Sequence, residues 1–279
     1  MQISNFDNLI HIKTIKRLTD TLSDVDFINS GIIDYASPIP AFGRLSRSKI
    51  ATLGLNPSDK EFNDRNHKEI SGHKRRFNTL NSLNISNWKN LDDNSVNRIA
   101  ESCEEYFEIN PYNSWFKQLE NLISNSGFSY YGQFANACHL DLIPFATCKK
   151  WSSLDKSNRD FLLRELSPSL GEIIKNSNIE LIILNGKSVI DNFKKISDIS
   201  LSEHKEPSFD LHRHGGNDVL GYEYTGFFRT ISGIDIGRKV YIYGFNHNLQ
   251  SSFGVSNTVR NNIKNRLKTY CESTITNFR

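Results

Sequence analysis

Four short apolar runs, each cut off by polar, turn-forming residues, constrain this chain more than any other feature. Residues 49–55 (KIATLGL) run into Asn-Pro-Ser, and residues 137–143 (ACHLDLI) into Pro144. Residues 179–184 (IELIIL) run into Asn-Gly-Lys-Ser, and residues 239–245 (KVYIYGF) into Asn-His-Asn. Runs of this length, rich in aliphatic and aromatic side chains, read as buried strands. Helical patterns lie between them. Trp115, Leu119, Leu122 and Ile123 share one face of residues 113–126. Leu162, Leu163, Leu166 and Leu170 do the same over 159–174, and Val259, Ile263 and Leu267 over 256–270. Strands alternating with helices predict one α/β domain over residues 1–279, built on a largely parallel sheet with helices on both faces.

Composition excludes several alternatives. The chain has 279 residues, and no stretch approaches the roughly eighteen apolar residues of a membrane span, so no membrane association is expected. The first residues lack the charged, apolar and small-residue succession of a secretory signal. Cys103, Cys138, Cys148 and Cys271 form no C-x-x-C pair, which speaks against a zinc ribbon or a sequence-local iron–sulfur cluster. Reduced thiols and a cytoplasmic location are expected. The net charge of +3, from 34 basic and 31 acidic side chains, does not by itself demand nucleic acid as a partner. No repeat or low-complexity linker divides the chain.

In a parallel sheet, ligands gather beyond the carboxyl ends of the strands. Here those ends carry Asn56, Asp141, Asn185 and His247, so four polar candidates converge on one edge. In Gly54-Leu55-Asn56-Pro57-Ser58, glycine permits close backbone approach and proline stiffens the turn, placing Asn56 to orient a water or a substrate edge. The same residues also make a plain strand-to-loop turn. In the loop after the last run, His247 can donate to an oxygen gaining negative charge. Ser251 and Ser252 suit phosphate oxygens, and Leu249 or Gln250 suit a gap in a base stack.

Taken together, GLNPS after the first strand and the Asn-His-Asn-Leu loop after the last resemble the uracil-DNA glycosylase superfamily. Its mismatch-specific and single-strand-selective branches carry a similar Gly-x-Asn-Pro segment. Their second motif is usually His-Pro-Ser, whereas Asn248 and Leu249 follow His247 here. The resemblance spans roughly residues 50 to 255. It implies a central four-stranded parallel sheet flanked by helices, DNA as partner with one nucleotide turned out of the stack, and cleavage of the base–deoxyribose bond. Neither metal nor cofactor is implied, and no obligate protein partner is inferred. Carried over by motif, Asn56 positions the attacking water, Leu55 adjoins the base, Ser58 meets the backbone and His247 stabilises the departing base. Asp59 and Glu61 stand close enough in sequence to be alternative bases.

The strand period puts His139 and Asp141 on one face. Superfamily members that excise uracil commonly have asparagine at the position of Asp141. A carboxylate only accepts hydrogen bonds, which suits the exocyclic amino group of cytosine and repels uracil O4. The expected substrate is therefore a modified cytosine, and the superfamily includes antiphage enzymes acting on glucosylated hydroxymethylcytosine. Alternatively, Asp141 pairs with Lys149 or Lys150.

Residues 65–76 hold five Lys or Arg against one Glu, and Phe77 follows. Arg75 and Arg76 are candidate phosphate contacts, and Phe77 is a candidate stacking partner for the base, or else a core residue beneath a solvated loop. Lys187 and Ser188 are placed to meet a phosphate at a helix start. The loop with His212 and His214, and nearby Tyr222 and Tyr224, can line extra space for a sugar. The two histidines lack a third metal ligand in sequence. The expected activity is that of a monofunctional DNA glycosylase. Its rivals are a uracil glycosylase of base-excision repair and a DNA-binding module of the same fold without catalysis.

Overall fold

The fold is described from a computed structural model covering residues 5–213, 217–250 and 254–274, with side chains from residue 11 onward. The four apolar runs become four parallel strands. β1 spans Ile50–Gly54, β2 Ala137–Asp141 and β3 Leu181–Asn185. Two further strands, β4 (Ser200–Lys205) and β5 (Tyr222–Ile231), precede β6 (Ile234–Phe245), whose second half is the fourth run. The sheet order is β2-β1-β3-β6-β5-β4, parallel from β2 to β6 and antiparallel beyond.

The expectation of a four-stranded sheet is therefore corrected to a six-stranded mixed one. β4 reads SLSEHK and is almost wholly exposed, so no apolar run announces it. Its place comes from backbone pairing with β5. β5 and β6 join through Ser232 and Gly233, which have φ of 46° and 80°, the left-handed geometry of a tight hairpin turn. Tyr222 and Tyr224 lie on β5, Tyr222 half-buried and Tyr224 fully buried, so Tyr224 lines no open space.

Every residue of β1, β2 and β3 is buried, and strand alternation sorts the side chains into two cores. Ala51, Leu53, Cys138, Leu140, Ile182 and Leu184 meet Leu162, Leu163, Leu166 and Leu170 of the helix Lys156–Lys175. On the opposite face, Ile50, Ile183, Tyr243 and Phe245 meet Phe116, Leu119, Leu122 and Ile123 of the helix Asn113–Ser124, and Val259, Ile263 and Leu267 of the helix Asn257–Thr274. Each such side chain contributes about 1.5–3 kcal/mol on burial, which is why the pattern of these runs dominates the architecture. Trp115 is the exception among the predicted inward residues: Phe116 takes the core position. Among the described residues no helix is long and apolar enough to cross a membrane.

Candidate functional site

A cleft of about 420 Å³ opens at the carboxyl ends of the parallel strands, within the size range of small-ligand pockets. Its walls come from the loop after β1 (Gly54 to Asp59), the loop after β2 (Thr147 and Lys149 to Trp151), the β3–helix turn (Asn185 to Val189), Asn246, Asn248 and Trp115. The β1–β2 pairing continues past the strands: Leu142 N–H donates to Gly54 O at 3.1 Å, and Ile143 N–H to Leu55 O at 3.2 Å. The Asn56 loop is thereby tied to the end of β2.

Asn56 lines this cleft, as does Leu55. The Asn56 Nδ2 donates to Pro57 O at 2.9 Å and to Thr147 Oγ1 at 3.0 Å. A carbonyl can only accept, so this network assigns the amide orientation. Thr147 Oγ1 in turn donates to Lys149 O at 2.6 Å. Both amide hydrogens are engaged, and among the described residues nothing donates to Oδ1. The side chain is a braced acceptor on the cleft wall. Ser58 also lines the cleft and caps the 3₁₀ turn Asp59–Glu61, accepting from Lys60 N at 3.1 Å.

At the third strand end, Gly186 has φ of 101°, and a Cβ there would crowd Asn248 at 3.2 Å. Glycine thus lets the start of the helix Lys187–Ile196 approach the last loop. Lys187 and Ser188 line the cleft, with the Lys187 amine 2.5 Å from Asp191. Lys149 and Lys150 are exposed on the rim, and neither pairs with Asp141. Instead Asp141 Oδ1 lies 3.5 Å from His139 Nε2, and only 3% of the Asp141 side chain is exposed. Gly54 separates it from the cleft: a Cβ on Gly54 would fall far inside contact with Asp141 Oδ1.

His247 is not brought to the cleft wall. Its ring is buried, with Nε2 2.6 Å from Phe209 O, a carbonyl that can only accept, so Nε2 is the donor. Burial pulls its pKa below the ordinary histidine value, while the bond to Phe209 opposes that shift. The neighbours Asn246 and Asn248 face the cleft in its place. Leu249, expected as a wedge, is buried with 3% exposure. Gln250 Oε1 accepts from Asn185 Nδ2 at 2.5 Å, so it braces the β3 end. Ser251, Ser252 and His214 lie outside the described residues.

The basic segment likewise differs from expectation. Phe77 has 1% exposure and stacks on Tyr106 with ring centroids 5.0 Å apart, so no ring face is open to a base. The reason is the aromatic cluster on that side of the sheet, where Phe42 and Phe62 also meet it. Arg76 donates to Lys60 O at 2.8 Å and Asn110 O at 3.1 Å, and lies over the Tyr112 ring. It is a brace, and neither Arg75 nor Arg76 lines the cleft.

Asp59 remains on the cleft wall, 3.6 Å from Lys60 and 3.7 Å from His67. Glu61 does not: it is buried, and both its oxygens contact the Tyr106 hydroxyl, at 2.9 and 2.8 Å. Burial pushes its carboxyl up to about 8, against the opposing influence of Tyr106 and Arg76.

Sequence reasoning missed Trp115, Trp151 and Thr147 as cleft residues. The run Cys148-Lys149-Lys150-Trp151, just beyond a strand end, was the available signal: two cations beside an aromatic at the ligand-bearing edge. Half-buried Trp115 sits 4.9 Å from the His139 ring and offers the cleft the aromatic surface that Phe77 does not. Among the described residues no group of three His, Cys, Asp or Glu is placed to hold a metal ion. No protein-family model matches the chain, and no curated protein is significantly similar to it.

Proposed function

We propose that this chain is a monofunctional DNA glycosylase of the uracil-DNA glycosylase type, acting on an amino-bearing pyrimidine such as a modified cytosine, with phage defence as its setting. The observation that carries the reading is the Asn56 amide: its nitrogen is tied down by Pro57 and Thr147, leaving Oδ1 on the wall of a cleft with room for a nucleobase. An acceptor so held can orient one water towards the sugar carbon C1′.

The reaction breaks the bond between C1′ and the base nitrogen and forms a bond from the water oxygen to C1′. Its transition state is oxocarbenium-like, so no strong base is needed at the start. The water proton is lost late, and Asp59 on the same wall is available to accept it. The departing base carries the bond's electron pair and needs a donor or a cation. Asn248 supplies a carboxamide whose Nδ2 makes no bond to a described residue, and Lys149 and Lys150 supply positive charge. His247 acts through this loop, holding it against Phe209. Trp115 stacks on the extruded base, and Lys187 and Ser188 meet the backbone.

The test is to incubate the protein with oligonucleotides carrying uracil, unmodified cytosine or glucosylated hydroxymethylcytosine, then heat them in alkali to break abasic sites. Breaks at the modified cytosine are expected. Breaks only at uracil would replace this substrate with uracil and the setting with base-excision repair. DNA binding without breaks on any substrate would make the chain a binding module.

A further inference from the structure

Asp141 is a buried carboxylate short of donors. With 3% of its side chain exposed, one contact reaches it from the described residues, and that contact is long: His139 Nε2 at 3.5 Å. Burying an acceptor of this strength with its lone pairs unmet is costly unless something else donates to it. The nearest opening is through Gly54, which lines the cleft and has no side chain to stand in the way. A Cβ at that position would strike the carboxylate, so the glycine acts as a window between ligand space and Asp141.

Behind the carboxylate runs a chain of buried polar groups. His139 Nδ1 lies 2.7 Å from Thr52 Oγ1, and Thr52 Oγ1 lies 2.6 Å from the Tyr130 hydroxyl. Strand register makes this possible: Thr52 pairs with His139 and Gly54 with Asp141 across β1 and β2, all on one face of the sheet. Burial holds the Tyr130 hydroxyl well above its ordinary range, so it stays a proton donor. For a neutral ring with a carboxylate in front of Nε2, the donor directions follow along the chain. Tyr130 donates to Thr52, Thr52 donates to Nδ1, and Nε2–H points at Asp141. Trp115 and Phe116 wall in the ring at 4.9 and 5.4 Å between centroids.

We infer that His139, oriented by Thr52 and Tyr130, is the positioning residue that holds one oxygen of Asp141, so that the carboxylate faces the Gly54 window and receives an N–H donor such as the exocyclic amino group of a base. This rests on the glycosylase reading for the identity of the ligand, though not for the hydrogen-bond chain itself.

The experiment has two arms on the full chain. Nitrogen-15 spectra of the histidine rings, with His139 assigned by its loss in His139→Gln, should show a protonated Nε2 and a bare Nδ1. Thr52→Val should abolish that fixed state, and Thr52→Ser, which keeps the hydroxyl, should restore it. In the second arm, base release is compared between oligonucleotides carrying hydroxymethylcytosine and uracil. Thr52→Val should cut the preference for the amino-bearing base about tenfold, the size of one charge-assisted hydrogen bond, while Thr52→Ser keeps it. A merely structural threonine would lower both rates together and leave their ratio unchanged, which would overturn the inference. So would a wild-type ring that carries a proton on Nδ1, whether or not Nε2 carries one as well. A wild-type chain that releases no base from any oligonucleotide overturns the function proposed above. The ring-nitrogen arm then decides the chain on its own.

Discussion

The loop after β1 and the loop after β6 look alike in sequence: each follows an apolar strand, and each carries an asparagine or histidine suited to catalysis. They end in different situations. The first braces the Asn56 nitrogen and leaves its oxygen on the cleft wall. The second turns His247 inward onto Phe209 and buries Leu249, presenting Asn246 and Asn248 to the cleft instead. Two polar strand ends are thus divided between one that faces the cleft and one that turns inward as support. What separates them is whether a distant carbonyl claims the side chain.

The largest expected effect concerns the support beneath the first loop. The Glu61 carboxyl is raised by burial from 4.5 to about 8. The folded chain therefore holds a proton that the unfolded chain releases. Stability from this group is full below pH 4.5 and is lost as pH rises through about 8. Denaturant unfolding across that window should show a decline of several kcal/mol in the wild type and a flatter curve for Glu61→Gln. A flat wild-type profile would mean that Glu61 ionises freely and supports nothing.

Next comes the contrast itself. Asn56→Ala should lower base release at least about tenfold, or roughly 1.4 kcal/mol of barrier, with DNA binding nearly unchanged. His247→Ala should weigh the other way, costing about 1 kcal/mol of stability for the lost hydrogen bond and lowering release less than Asn56→Ala does. Were His247→Ala to lower release more than Asn56→Ala, the division between the two loops would be the wrong way round. The smallest effect sharpens the cleft rim. Lys149→Ala should weaken DNA binding across sequences and reduce the slope of log affinity against log salt by about one. An unchanged slope would take Lys149 off the phosphate path.

Asn56 was legible because the turn that carries it is built locally, although its second partner, Thr147, is remote in the chain. Pro57 stiffens the turn and supplies a carbonyl, and Ser58 caps the next turn from two residues before Lys60. Asp141 was legible as a strand-end residue, but its partner was not. The sequence offered Lys149 or Lys150, whereas in the fold both lysines are exposed and the contact is with His139, two residues back on the same strand face. Phe77 misled because a ring beside five cations reads alike whether it faces DNA or Tyr106, and Tyr106 lies a whole helix away. The basic run misled for a related reason, since Arg76 finds its carbonyls on Lys60 and Asn110.

Strand positions and the polar edge were therefore determined by the amino-acid sequence alone, because alternation and turn chemistry act over a few neighbouring residues. Tertiary structure decided the two added antiparallel strands, the inward turn of His247 and the placing of Trp115 on the cleft. Each of these depends on backbone pairing or on a partner remote in the chain: β5 for β4, Phe209 for His247, His139 for Trp115. Such partners are chosen by packing, which local pattern does not encode.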